Sequence, residues 1–152
     1  MEPMQEGPTP PSAIRAHVIT DHAALRRLMT ALAHETTHAR QGAPDGMLRL
    51  RQALAALHDA FEAHLTYEER ELVPLLADGD AWGPVRMTHV HDEHVAQRAS
   101  FVALIEDAAD GGKPLAEVAD EIGWLIRGLM RDMDEEESKL FDGSGLKRDA
   151  SA

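Results

Sequence analysis

Four long stretches of this chain read as helix, and each carries apolar residues at helical spacing. The first runs from Ala13 to about Arg40, with Ser12 as its expected N-cap. The second runs from Met47 to about Ala77, with Pro74 expected to bend or thin its last turns. The third runs from Val85 to Ala109, with Pro84 at or near its first position, and the fourth from Pro114 to about Phe141. The breaks "QGAPDG", "DGDAWGP" and "DGGKP" are turn-forming loops. Four such helices with short connections predict an all-α, up-down-up-down four-helix bundle over residues 13–141. The Pro-rich residues 1–12 are expected to be disordered and residues 142–152 to form a flexible tail. Aromatic residues are only 4% of the chain, so the core must be mostly aliphatic.

The stripes define that core and also interrupt it. They hold Ile14, Val18, Leu25, Met29 and Leu32; Leu54, Leu57, Phe61, Leu65, Leu72 and Leu76; Met87, Val90, Phe101 and Leu104; then Leu115, Val118, Ile122, Leu125, Leu129, Met133 and Leu140. At core spacing within them stand His22, His64, Glu68, His94, Asp132 and Glu136. Such groups are costly to bury without partners, and a metal ion would satisfy them together.

The chain also repeats itself. Laying "HVITDH" (17–22) over "HVHDEH" (89–94) pairs His17 with His89, Asp21 with Glu93 and His22 with His94. Laying "HLTYEERELV" (64–73) over "DMDEEESKLF" (132–141) pairs His64 with Asp132, Glu68 with Glu136 and Glu69 with Glu137. The expected result is a bundle with a pseudo-twofold helix-pair repeat. Residues at i and i+4 share a helical face, so His64/Glu68 and Asp132/Glu136 each present two donors one turn apart. Six donors at one level from four helices is a dinuclear arrangement. Nitrogen and oxygen donors without sulfur suit iron, manganese or zinc, with iron the first choice.

Composition removes several alternatives. There is no Cys, hence no disulfide, thiolate nucleophile or thiolate metal site. A net charge of −12 argues against nucleic acid and anionic membranes as partners. No apolar run approaches the roughly 18 residues a membrane span needs. The N-terminus has no apolar signal core, so a cytoplasmic location is expected.

At "TDHAALRRL", "HLTYEERELVPLL", "HDEHVAQR" and "DMDEEESKLF" the sequence resembles the haemerythrin-like family of HHE cation-binding domains. The resemblance spans residues 14–141. It implies a non-haem di-iron centre with two bridging carboxylates and a bridging oxygen. It implies a small gaseous or peroxide ligand: dioxygen, nitric oxide or peroxide, bound for sensing, carriage or stress response. By the same resemblance His22, His64 and His94 are terminal ligands, and Glu68 and Glu136 are bridges. Two positions depart from the family pattern. Asp132 stands where the family has His, and as a ligand it would favour the ferric state. Val90 stands where the family often has a second His of the third helix, with His91 as a substitute. Whether the protein is a carrier, a sensor or an enzyme is left open, as is a homodimer. Two other classes compete: a metal-binding module holding zinc or one iron without redox turnover, and a helical interaction domain with a decayed site.

Other signals have ordinary readings. "HETTH" (34–38) matches the zinc-protease pattern, but it lies off the apolar stripe near a helix end and lacks a third ligand. His17 and His89 stand five residues before His22 and His94, about 140° around the helix, and are expected at the surface. His58 is expected to be exposed and Tyr67 half-exposed. Asp134, Glu135 and Glu137 are expected to form a solvated face around Glu136.

Overall fold

The computed structural model describes residues 9–77, 84–109 and 112–141, apart from the side chains of residues 76, 77, 84–88 and 139–141. Helix α1 is Pro11–Arg40. Helix α2 is Gly46–Tyr67, continued by a π turn at Glu68–Leu72 and a last segment Val73–Ala77. Helix α3 is Pro84–Asp107 and α4 is Leu115–Phe141. No strand occurs among the described residues. The expected disorder of residues 1–8 and the flexible tail at 142–152 lie outside the described residues. None of the described helices is long and apolar enough to cross a membrane.

Helix α1 starts two residues earlier than expected. Pro11 occupies its first turn and Pro10 is the N-cap, so Ser12 lies inside the helix. The reason is that a proline has no N–H to leave unsatisfied and its φ is already helical. The Pro10 carbonyl accepts from the N–H groups of Ala13 and Ile14. Pro84 opens α3 as expected.

Pro74 acts one turn upstream of where bending was expected. It has no N–H, and its ring crowds the carbonyl of Arg70. The helix widens just before it: the Val73 N–H bonds back to the Glu68 carbonyl, five residues away.

The four helices pack in a ring: α1 against α2 and α4, and α3 against α2 and α4. At one end α1 and α2 approach so closely that a Cβ on Gly46 would sit 2.7 Å from the Ala39 Cα. Only glycine fits there. The core is the aliphatic set the stripes predicted, including Val18, Leu25, Met29, Leu32, Leu54, Leu57, Leu65, Leu72, Val118, Ile122, Leu129 and Met133, with Phe61 and Phe101. Leu76, Met87 and Leu140 lie outside the described side chains. Toward the other end this core gives way to buried polar groups.

Candidate metal centre

His22, His64, Glu68 and His94 are all buried, each on the apolar face of its helix. Glu136 reaches the same place from α4 and is half-buried. His22, His64, Glu68 and Glu136 each offer a ligand atom, all within 4.8 Å of one another, and no other such set occurs among the described residues. His94 joins through Glu68: its Nε2 lies 3.2 Å from Glu68 Oε2, while His64 Nε2 lies 2.6 Å from Glu68 Oε1. The two oxygens of Glu68 therefore face two different imidazoles.

The centre lacks hydrogen bonds where a cation would sit. His22 Nε2, Glu68 Oε1 and Glu136 Oε1 are buried without a hydrogen-bond partner. Such orphans are rare in folded proteins and call for an explanation. They surround a cavity of about 20 Å³ lined also by His64, His94 and Asp132. That is room for one water-sized body before any side chain moves. The donor set fits a transition-metal ion.

Each imidazole is aimed by a carboxylate behind it. His22 Nδ1 meets Glu137 Oε1 at 3.2 Å, His64 Nδ1 meets Asp21 Oδ2 at 3.0 Å, and His94 Nδ1 meets Glu69 Oε2 at 3.1 Å. An ionised carboxylate only accepts, so Nδ1–H donates and Nε2 of each neutral ring keeps its lone pair toward the cavity. This is the arrangement that fixes ring orientation in metal-binding histidines. Two of the carboxylates are clamped in turn. Arg26 Nη1 and Nη2 grip Glu137 at 3.0 and 2.8 Å. Arg98 Nη1 and Nη2 grip Glu69 at 2.7 and 2.9 Å. Both are bidentate pairs, which fix direction as well as charge. Arg26 also bonds Asp134, and Arg98 also bonds Glu62.

The electrostatics of the centre's own side chains are unbalanced. Burial pushes the Glu136 carboxyl well above the usual carboxylate range, and the charge of Glu68 pushes it further. Burial opposes ionisation of Glu68 as well, yet the His64 and His94 imidazoles against it hold it below that range. Burial lowers the His22 pKa, helped by His64. For His64 and His94 the close, charged carboxylate of Glu68 outweighs burial, and both are raised. A bound cation would let Glu136 ionise beside Glu68 and take the place of the proton it holds.

Several expectations change. Glu137 is not simply solvated: it is part of the support for His22, because Arg26 on the neighbouring helix captures it. Glu135 is exposed as expected, and Asp134 is exposed but paired with Arg26. Asp132 lines the cavity, but it stands outside the four-residue set and accepts from Gln97 Nε2 at 3.1 Å. His91 is exposed and is not in the cluster. His17 is exposed but not idle: its ring stacks on Tyr67 at 3.5 Å and its Nε2 lies 3.3 Å from Asp21. His58 is half-buried against Phe101 rather than exposed. In the "HETTH" segment His34 and His38 pack against each other and Glu35 pairs with Arg49, away from the centre.

Sequence reasoning missed Asp21, Glu69 and Glu137 as imidazole supports, and Arg26 and Arg98 as their clamps. A signal existed: an Arg follows each of His22 and His94 by four residues, and a Glu follows each of Glu68 and Glu136 by one.

Neither a curated protein nor a solved structure matches the chain. A family model does, over residues 13–142: the hemerythrin HHE cation-binding domain. That match takes in all four helices and the His/Glu cluster, and the chain belongs to the hemerythrin HHE cation-binding family.

Proposed function

We propose that this chain is a non-haem di-iron protein that binds or reacts with dioxygen, nitric oxide or peroxide, in sensing, carriage or stress response. The carrying observation is the set of unpartnered buried atoms, His22 Nε2, Glu68 Oε1 and Glu136 Oε1, facing one cavity. His22, His64 and His94 would hold iron through Nε2, with Glu68 and Glu136 as the shared carboxylates and Asp132 completing the set. The bridging role of Glu68 is supported by its two oxygens facing different histidines. A pseudo-twofold, up-down bundle accounts for the matching of Arg26–Glu137–His22 with Arg98–Glu69–His94. A ferrous pair supplies electrons and open coordination positions to a small ligand. The protein supplies the rest. Asp21, Glu69 and Glu137 hold the imidazoles in one tautomer, Arg98 and Arg26 keep Glu69 and Glu137 ionised, and Phe61, Leu65, Leu129 and Met133 limit water at the cavity.

The test is anaerobic reconstitution of the whole chain with ferrous iron, followed by metal counting and exposure to air. Two irons per chain and new near-ultraviolet and visible absorption are expected. A protein that retains no transition metal, and whose melting is unmoved by iron, is not of this kind. A second reading is a single-ion module, zinc or iron, without redox turnover. It is favoured by the convergence of only four residues within 4.8 Å and by the small cavity. One ion per chain and no spectral change in air would establish it.

A further inference from the structure

The two sides of the centre carry different donors. On the α1–α2 side stand His22 and His64, with Asp21 behind His64 and Leu25 packed into the core. At the matching positions on the α3–α4 side stand His94, Asp132, Glu93 and Gln97. Three substitutions thus fall together, and they fall in contact. Gln97 Nε2 donates to Asp132 Oδ2 at 3.1 Å and lies 3.3 Å from Glu93 Oε1. One amide holds two carboxylates that would otherwise repel. All three residues line the metal cavity beside Glu68, which is 3% exposed and has an unpartnered oxygen there. The Gln97 amide oxygen is buried and unpartnered as well. A decayed position would be expected to fill with apolar side chains. This one has gained a carboxylate, an amide and a held geometry.

We propose that Glu93 and Asp132, positioned by Gln97, make the His94 side of the centre an oxygen-rich metal position distinct from the nitrogen-rich one at His22 and His64. The first position offers two imidazoles and the two bridging glutamates, which suits iron or zinc. The second offers one imidazole, the same bridges and two further carboxylates, which favours a harder divalent cation such as manganese. General affinity order places manganese below iron at any shared donor set, so the selectivity is relative: the manganese-to-iron preference is higher at the second position. The second position is also the open one. A groove of about 540 Å³ between α3 and α4, lined by the small residues Ala96, Ser100, Ala103 and Gly128, runs to Glu93, Gln97 and Asp132. A hydrated ion can reach this side from solvent.

The proposal rests on the metal-binding reading, and its test keeps the two apart. The whole chain is loaded anaerobically with ferrous iron and a tenfold excess of manganese, then freed of loose ions. Metals per chain are counted and manganese is examined by electron paramagnetic resonance. One iron and one manganese per chain are expected. Glu93→Gln should lower manganese retention at least tenfold and leave one iron. The combined change Glu93→Asp, Gln97→Leu and Asp132→His, which copies the first side, should give two irons and little manganese. Circular dichroism checks that each variant is folded. Two irons and no manganese in the unaltered chain overturn the proposal, as does a Glu93→Gln protein with unchanged metal content. No bound metal under any condition overturns the metal-binding reading itself, and this proposal with it.

Discussion

The α1–α2 half and the α3–α4 half of the centre agree in what lies behind the histidines and differ in what faces the cavity. Behind His22 and His94 the match is residue for residue: a glutamate on a neighbouring helix, held by an arginine one turn beyond the histidine. Facing the cavity, His64 is answered by Asp132, and Gln97 lines it where the first half buries Leu25 in the core. The match occurs without matching backbone. The Glu68–Glu69 pair starts a π turn, whereas Glu136 and Glu137 lie in regular α-helix. The π turn is therefore not what aims Glu69 at His94. What the two halves share is a pattern of adjacent glutamates, one turned inward to the cavity and one held outside by arginine. The difference lies in the donors, and the groove between α3 and α4 opens on the side where they differ.

The largest expected effect comes from the residue that belongs to both sides. Glu68→Ala removes the carboxylate in contact with both His64 and His94, and metal affinity should fall on both sides. Loss of an outer hydrogen-bond partner alone costs about 10–100-fold in affinity, so loss of this contact should exceed 100-fold. Equilibrium metal titration reads it; a variant still holding two ions tightly would end the idea of a shared bridge. Next comes the effect of the metal on stability. With free metal at about 1,000 times its Kd, binding adds about 4 kcal/mol to the folded state, which for a domain of this size is on the order of 10 °C in Tm. Stripping the ions with a chelator should reverse the shift, and an unmoved melting curve would mean that the buried donors are satisfied without metal.

Much of the fold was legible because the chain is written in long helical phrases. Proline and glycine mark the breaks, and the aliphatic stripes name the core. His22, His64, Glu68 and His94 stood out because a buried ionisable group in such a stripe is expensive, and the sequence shows the interruption. The supports were harder to read. Glu69 and Glu137 follow residues that point inward, so they turn toward the edge of the bundle, where acidic residues are ordinarily solvated. Their capture depends on Arg98 and Arg26 reaching across from another helix, and no periodicity within one helix encodes that distance. Glu93 and Gln97 were hidden for a similar reason: each looks like a surface residue until Asp132 on α4 is brought opposite.

The outer clamps sharpen the comparison because they are the part that matches. Arg26→Met and Arg98→Met should each weaken metal binding about tenfold, at the near end of the range for outer partners. The loss should fall on different ions, the one at His22 and the one at His94. Variants that weaken both ions equally would argue against two separable halves.

The smallest effect is one of pH on the metal-free protein. Arg98, and secondarily His94, hold the Glu69 carboxyl at about 2, below its ordinary 4.5. Above pH 4.5 this carboxylate is ionised in both folded and unfolded chains, and its full contribution to stability is present. As pH falls from 4.5 toward 2, the unfolded chain takes up a proton that the folded chain still refuses, and the contribution is lost. Glu69 is well exposed, so solvent screening should keep the loss below about 1 kcal/mol. Glu136 has the opposite sign, because its raised pKa lets the folded chain hold a proton longer as pH rises. The absolute pH profile therefore mixes the two, and the difference between the unaltered chain and Arg98→Met removes Glu136 and reads the carboxylates that Arg98 holds, Glu69 and Glu62. Urea unfolding across that window should show the unaltered chain losing its advantage as the solution is acidified. If the two profiles stay parallel, the Arg98–Glu69 pair positions His94 without stabilising the fold.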